Sequence, residues 1–233
     1  MIKALLHGKL SREQENMEDL LTSAVFGRLR YLEPTEALLP FLANAVTLDG
    51  GQPLSEIAGG AQVTYTFWPP YAEPGCAPCE PDLVLNVEFP IRRLLVLIEV
   101  KLHSGKSSEE DEHAESTTDQ LGKEWDNLVS RAVGLNARPV LVYLTADVGI
   151  PREDMEASIA AYREKRGGDI PTLCWLSWRT LSDVLEKATE RNEIENDLLA
   201  LLNRHDLRWY KLRLPYSFNF GGWRFGVAAK EAR

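Results

Sequence analysis

Two acids and an amine, Asp82, Glu99 and Lys101, stand at the ends of two apolar runs of this chain, where they could perform chemistry together. Asp82 directly precedes the short apolar run 83–87, and Glu99 and Lys101 follow the longer run 94–98. Because side chains alternate across a strand, Glu99 and Lys101 are expected to point to the same face. Charges at the end of a buried strand are costly unless they are paired or bind a metal, so the pattern indicates a function.

Converging carboxylates suit a hard divalent cation. Mg2+ takes oxygen ligands and keeps several waters that a substrate can displace. We therefore expect Asp82 and Glu99 to bind Mg2+, for which Mn2+ can substitute. Lys101 would then orient or help to deprotonate an attacking water, or stabilise the negative charge that grows on a phosphate oxygen. The alternative interpretation is an edge strand that carries a Glu–Lys pair on the surface.

Two adjacent strands joined by a tight connection must position these groups. The run 94–98 is rich in branched aliphatic residues and is typical of a strand buried on both faces. Residues 89–93, Phe-Pro-Ile-Arg-Arg, interrupt the apolar pattern and predict the connection. Other runs of β-branched, aromatic and aliphatic residues predict three further strands, at residues 63–68, 139–145 and 172–178.

Helical patterns separate these strands. The first is expected to begin at Ser11, with Gln14 completing a capping box, and to run to about residue 32. Other apolar patterns of helical spacing predict a helix at 36–46, one opened by Gln120, one that begins at Pro151, and one over 181–202 with a break near Asn192. Alternating helices and strands of this kind predict an α/β fold.

Pro81-Asp82, sixteen intervening residues and then Glu99-Val100-Lys101 resemble the motif of the PD-(D/E)XK phosphodiesterase superfamily, to which many restriction, repair and phage-defence nucleases belong. The resemblance implies a restriction-endonuclease-like core, a mixed β-sheet in the order αβββαβ that is flanked by helices. It also implies catalytic roles for Asp82, Glu99 and Lys101. It covers most of residues 11–180.

The same resemblance extends to two helices. The first core helix of the superfamily often carries a further acid that points at the metal, and Glu18 is the best match, with Glu15 in reserve. The alternative interpretation of Glu18 is that of an acid near the N-terminus of a helix, where the helix dipole favours a negative charge. Many members of the superfamily place a Gln on the helix that follows the ExK motif, which here is Glu99-Val100-Lys101. Gln120 matches that residue, and the alternative is that Gln120 is a surface residue. Lys123 on that helix is expected to contact a phosphate.

Length and composition predict an ordinary soluble protein. The chain has 233 residues, 44% hydrophobic and 26% charged, which we interpret as one domain over 1–233. Residues 1–10 lack the sustained apolar core of a signal peptide, and no apolar run approaches a membrane span, so we expect a cytoplasmic protein without a membrane partner. Three cysteines argue against a disulfide framework. Cys76 and Cys79 have the spacing of half a zinc site or a redox pair, and we interpret them as two thiols in a loop.

Charge is unevenly distributed along the chain. The net charge is -9, yet residues 204–233 contain seven basic residues and two acidic ones. We expect this basic, aromatic C-terminal segment to follow the last helix and pack on the domain. Its expected phosphate contacts are Arg208, Lys211, Arg213 and Arg224. Its aromatic residues would stack on bases or pack a terminal hairpin.

The acidic run 109–115 follows the ExK motif closely. Such a run cannot build a core and is expected to form a solvated loop. A sharper hypothesis is that it occupies the substrate channel as a phosphate mimic until DNA or a partner displaces it.

Two functions of different classes remain open. The first is a metal-dependent nuclease that hydrolyses phosphodiester bonds of DNA, for which the resemblance implies a setting in bacterial restriction or anti-phage defence. The second is a catalytically silent relative that serves as an interaction subunit, with a partner protein or a second copy of itself. The acidic composition favours the second, because an acidic body repels DNA. The intact Asp82, Glu99 and Lys101 favour the first.

Overall fold

The computed structural model describes residues 18–57, 59–102, 117–168, 170 and 172–209, together with Leu6. The acidic run 109–115 and residues 210–233 of the basic segment lie outside the described residues, as does the capping box expected at Ser11. The described elements are, in chain order, α1 (Glu18–Leu29), α2 (Leu38–Leu42), β1 (Gln62–Phe67), β2 (Leu83–Glu88), β3 (Arg93–Lys101), α3 (Thr117–Leu135), β4 (Arg138–Thr145), α4 (Arg152–Arg166), β5 (Leu173–Ser177), α5 (Trp178–Lys187) and α6 (Glu193–Arg204).

The five strands form one mixed sheet in the order β1-β2-β3-β4-β5. β1, β2 and β3 pair antiparallel, whereas β3, β4 and β5 pair parallel. The parallel pairs need crossover connections, which α3 and α4 provide. β3 is the central strand, and every residue of it except Arg93 and Lys101 is buried. The continuous apolar run 94–98 predicted such a strand.

Two hydrophobic cores cover the two faces of the sheet. Val96, Ile98 and Val100 of β3 pack in the core that contains apolar residues of α1, α2, α5 and α6. Leu95 and Leu97 point the other way, into a core with α3 and α4. Full burial of each aliphatic side chain contributes roughly 1.5–3 kcal/mol, so β3 anchors both layers. The expected α/β class is confirmed as a five-stranded mixed sheet flanked by helices.

Two predicted boundaries were wrong because tertiary contacts override the local pattern. The helix expected over 36–46 is reduced to α2, Leu38–Leu42, because Val46 instead forms a β-bridge with Trp175 at the edge of the sheet. The strand expected to reach Trp178 ends at Ser177, whose side-chain oxygen accepts a hydrogen bond from Arg179 N and caps α5. Trp178 is the first residue of that helix and is fully buried.

Other boundaries agree more closely with the pattern. The break expected near Asn192 is confirmed, because the Asn192 side chain and Glu195 form a capping box that begins α6. α4 ends at Arg166 and is capped by Gly167, which adopts the left-handed conformation with φ of 71°. α3 begins at Thr117, three residues before the predicted start at Gln120, so Gln120 lies one turn inside the helix. No helix in the described part of the chain is long and apolar enough to cross a membrane.

Candidate active site at the carboxyl end of β3

Asp82 lies beside the end of β3 because β2 and β3 pair antiparallel. Leu83 pairs with Ile98, which brings Asp82 next to Glu99. Asp82 Oδ2 accepts a hydrogen bond of 2.8 Å from Val100 N, and the Asp82 carbonyl oxygen accepts one of 3.1 Å from Trp68 N. The residue is therefore held from both neighbouring strands, and its side chain is only slightly exposed, at 8% for the whole residue.

Glu99 is the one acidic residue of β3, and it is buried, at 1% exposure. Its Oε1 atom lies 2.7 Å from Lys101 Nζ and accepts a 2.7 Å hydrogen bond from Gln120 Nε2. Its Oε2 atom is buried and has no hydrogen-bond partner among the described residues. A buried carboxylate oxygen without a partner is costly, so this atom is a candidate ligand for a cation.

Lys101 links the sheet to the first helix. Its Nζ atom lies 3.3 Å from Glu18 Oε1, in addition to its contact with Glu99. Burial alone would lower the pKa of Lys101, but the charges of Glu99 and Glu18 outweigh it and raise the pKa above its ordinary value. The ammonium group therefore keeps its proton at neutral pH and acts as a fixed positive charge.

Glu18 faces the end of β3 from α1. Besides its ion pair with Lys101, it accepts a 2.8 Å hydrogen bond from Leu102 N through Oε2. Burial raises the pKa of Glu18, although Lys101 opposes the shift. The side chain thus points toward Lys101 and the sheet. The reserve residue Glu15 lies outside the described residues.

Gln120 of α3 completes the group. Its Nε2 atom donates to Glu99 Oε1 at 2.7 Å and to Glu124 Oε1 at 3.2 Å. One amide nitrogen therefore joins an acid of the sheet to an acid of the helix. Its position one turn inside α3, rather than at the helix start, turns it toward the end of β3.

Glu124 belongs to the same group, although the motif did not include it. It is fully buried, and its Oε2 atom, like that of Glu99, has no hydrogen-bond partner among the described residues. A signal was present in the sequence: Glu124 lies between Leu121 and Leu128 on the buried stripe of α3. An acid on an apolar stripe needs a partner.

Four acids now form what we call the carboxylate cluster: Glu18, Asp82, Glu99 and Glu124. Burial, and then the charge of Glu99, raises the pKa of Asp82 to about 8. The same two causes raise the pKa of Glu124 well above its ordinary value. Desolvation and like charge both disfavour ionisation, so without a compensating positive charge Asp82 and Glu124 hold their protons to a higher pH than ordinary carboxyl groups do.

A divalent cation is a species that this set of donor atoms could hold. The cluster offers carboxylate oxygens only, the hard ligands that Mg2+ prefers, with the buried Glu99 Oε2 still unpaired. No three His, Cys, Asp or Glu side chains in the described ranges are already arranged as a metal site. Mg2+ often takes only one or two protein carboxylates and completes its shell with waters and phosphate oxygens. Asp82 and Glu99 could supply that number.

Lys123 lies on α3 beside Glu124 and lines a cavity of about 290 Å³. Lys165 and Arg166 of α4 line it as well, and Arg166 forms a 2.7 Å ion pair there with Asp126. The charged residues that line the cavity between α3 and α4 are therefore three bases and one acid, Asp126. It is a second place where a phosphate group could bind.

The remaining sequence-predicted residues lie elsewhere or are not described. Arg208 follows α6 and forms an ion pair with Glu186 of α5. Lys211, Arg213 and Arg224 lie outside the described residues. Cys76 and Cys79 are unpaired thiols between β1 and β2, and burial raises the pKa of Cys79 to about 12.

Comparisons with models of protein families, with curated proteins and with solved structures found no significant match to this chain.

Proposed function

We propose that this protein is a metal-dependent nuclease of the PD-(D/E)XK type that hydrolyses phosphodiester bonds of DNA. The observation that carries the proposal is the convergence of Asp82, Glu99 and Lys101, with the two acids buried and the amine 2.7 Å from Glu99. The proposal includes Mg2+ as cofactor, with Mn2+ as a substitute, and a setting in bacterial restriction or anti-phage defence.

The energetics of the carboxylate cluster support a bound cation. Acids that approach each other in a buried place destabilise the fold unless something compensates their charge. Lys101 supplies one positive charge, which Glu99 and Glu18 already share. A protein that needed only stability would gain from neutral residues at these positions. Acids at these buried positions are thus better explained by function than by folding.

Each residue has a distinct role in the proposed reaction. Asp82 and Glu99 would hold Mg2+, which when bound polarises the scissile phosphate and lowers the pKa of a coordinated water. In the hydrolysis a water oxygen forms a bond to phosphorus and the bond to the leaving sugar oxygen breaks. Lys101, whose raised pKa keeps it protonated, stabilises charge on the phosphate instead of acting as the base. Glu18 and Gln120 position Lys101 and Glu99.

The order of the elements supports a restriction-endonuclease-like core. Apart from the five-residue helix α2 between α1 and β1, the elements follow the order αβββαβ: α1, then β1, β2 and β3 in antiparallel pairing, then α3 and the parallel strand β4. In this arrangement the acid before β2, the ExK residues of β3 and the glutamine of α3 meet at one end of the sheet. We include the fold relationship in the proposal on these grounds.

The test is degradation of plasmid and linear DNA in the presence of Mg2+ or Mn2+. We expect the wild type to cut, and Asp82→Ala and Lys101→Ala to lose activity by at least about 100-fold. Lys187→Ala is the matched control, because Lys187 pairs on the surface with Asp183 of the same helix. Equal cutting by all four proteins would indicate a contaminating nuclease and would remove the proposal.

A second function is favoured by a separate observation. The chain has a net charge of -9, and Lys101 is already engaged by two carboxylates. A catalytically silent interaction subunit of a larger complex would have both properties. Titration calorimetry with Mn2+ separates the two functions, because a silent subunit has no reason to bind the metal and a nuclease must bind it.

A further inference from the structure

The unused oxygens of two acids on different elements point to an additional role for α3. Glu99 Oε2 on β3 and Glu124 Oε2 on α3 are both buried without a hydrogen-bond partner among the described residues. Their side chains are 1% and 0% exposed. The other oxygen of each acid, Oε1, accepts a hydrogen bond from the same donor, Gln120 Nε2.

In each of the two carboxylates, therefore, the Oε1 atom accepts a hydrogen bond and the Oε2 atom has no hydrogen-bond partner among the described residues. Because Glu99 and Glu124 accept hydrogen bonds from the same nitrogen of Gln120, their side chains lie beside each other in one buried region, which also contains their unpaired Oε2 atoms. The side chains of Glu99 and Glu124 also lie within hydrogen-bonding distance of each other. Two buried acids this close to each other need either a proton that they share or a bound cation.

We propose that Glu124 is a further ligand of the divalent cation, so that α3 as well as the sheet holds the metal. The inference rests on the proposed function, because it assigns an additional residue to the same site. The expected ion is hard and divalent, Mg2+ or Mn2+, since the three acids Asp82, Glu99 and Glu124 offer only carboxylate oxygens. Gln120 is then a positioning residue that orients two ligands at once.

A purely structural role for Glu124 predicts different behaviour. If Glu124 were a neutral acid that only donates its proton to Glu99, then Gln, which has nearly the same shape and is also a neutral donor, would replace it without effect on metal binding. If Glu124 is a ligand, the same substitution removes an anionic oxygen from the ion. Glu124→Gln therefore separates the two roles.

The experiment is titration calorimetry with Mn2+ on the full chain without DNA. We expect Glu124→Gln to weaken Mn2+ binding by about tenfold or more. Asp126→Asn is the matched control: it removes one negative charge from the same helix, but Asp126 is engaged by Tyr162 and Arg166. The control is expected to bind Mn2+ within about twofold of the wild type.

A second readout covers the case in which the variant folds poorly. In thermal unfolding, Mn2+ should raise the melting temperature of the wild type and of Asp126→Asn more than that of Glu124→Gln. Glu124→Asp, which keeps a shorter carboxylate, should give an intermediate affinity.

Three outcomes would overturn the inference, and they differ in whether they also overturn the proposed function. Wild-type affinity in Glu124→Gln, together with lost binding in Asp82→Asn, removes the role of Glu124 and leaves the proposed function intact. Equal weakening in Glu124→Gln and Asp126→Asn reduces the effect to general charge and also removes that role. An absence of Mn2+ binding by the wild type removes the inference and the proposed metal-dependent function together.

Discussion

Lys101 Nζ lies 3.3 Å from Glu18 Oε1, although 83 positions separate the two residues in the chain. Glu18 also accepts a hydrogen bond from Leu102 N, so α1 is joined to the end of β3 by side-chain and backbone contacts. The ion pair holds Lys101 between two acids, with Glu99 on the other side. An amine held in this way is positioned before any substrate arrives, which is what electrostatic catalysis requires.

Glu18→Gln should lower nuclease activity without abolishing it. The amide can still accept from Leu102 N, but Lys101 loses one of its two anionic partners, and its position is then less restricted. We expect kcat/KM on linear DNA to fall by about tenfold. Asp19→Asn is the control, since Asp19 lies on the same helix and is exposed. Unchanged activity in Glu18→Gln would show that the ion pair has no part in catalysis.

Asp82→Asn should change how stability depends on pH in the absence of metal. The pKa of Asp82 in the folded protein is raised to about 8 from an ordinary 3.8, so the folded state binds this proton more tightly than the unfolded state. The stability that this group contributes is therefore complete below about pH 4 and is lost as the pH rises through about 8. Asn carries no such proton.

The measurement for Asp82 is urea unfolding in EDTA over that pH range. The free energy of unfolding of the wild type should decline with pH more steeply than that of Asp82→Asn, by at most about 1.4 kcal/mol per pH unit. Asp19→Asn should decline as the wild type does. Parallel curves for the wild type and Asp82→Asn would show that Asp82 ionises normally in the fold.

Gln120→Ala should destabilise the protein, and the loss of stability should be larger without metal than with metal bound. The substitution removes the donor shared by Glu99 and Glu124: Glu124 Oε1 loses this hydrogen bond, and Glu99 Oε1 keeps only its ion pair with Lys101. We expect a loss of about 1–3 kcal/mol in the free energy of unfolding in EDTA. A smaller loss should follow with saturating Mn2+, because the cation compensates the same charges. Gln52→Ala, at an exposed position, is the control, and an equal loss in both conditions would contradict the prediction.

Lys123→Ala should weaken DNA binding without preference for any base sequence. Lys123 lines the cavity whose rim also carries Lys165 and Arg166, and phosphate contacts of this kind carry no sequence information. We expect the slope of log affinity against log salt, measured in EDTA to prevent cutting, to fall by about one. Lys187→Ala should leave the slope unchanged. If both variants bind DNA as the wild type does, the phosphate contact lies elsewhere.

Much of the fold followed from local patterns. The apolar run 94–98 predicted a strand buried on both faces, and β3 is such a strand because a strand covered on both sides can carry few polar residues. The alternation of side chains correctly put Ile98 and Val100 on one face, against α1, α2, α5 and α6. The break at Asn192 followed from a residue that favours a helix start.

The errors came from contacts between distant segments. Val46 left the expected helix because a bridge to Trp175 satisfied its backbone at the sheet edge. Trp178 belongs to a helix because Ser177 supplies a cap, which an apolar pattern does not reveal. Glu124 was missed because a glutamate in a helix is ordinarily solvated, and only the approach of α3 to β3 buries it.

The sequence by itself determined the α/β class, the burial of the strand at 94–98 on both faces, and the alternation that puts Glu99 and Lys101 on one face, because these depend on residue type and local spacing. Only the tertiary structure decided which acids meet. Pairing of β2 with β3 brings Asp82 to Glu99, and the packing of α1 and α3 at that end of the sheet adds Glu18 and Glu124. Burial there removes the water that would otherwise solvate these groups, and that desolvation is the largest cause of the raised pKa values of Asp82 and Glu124.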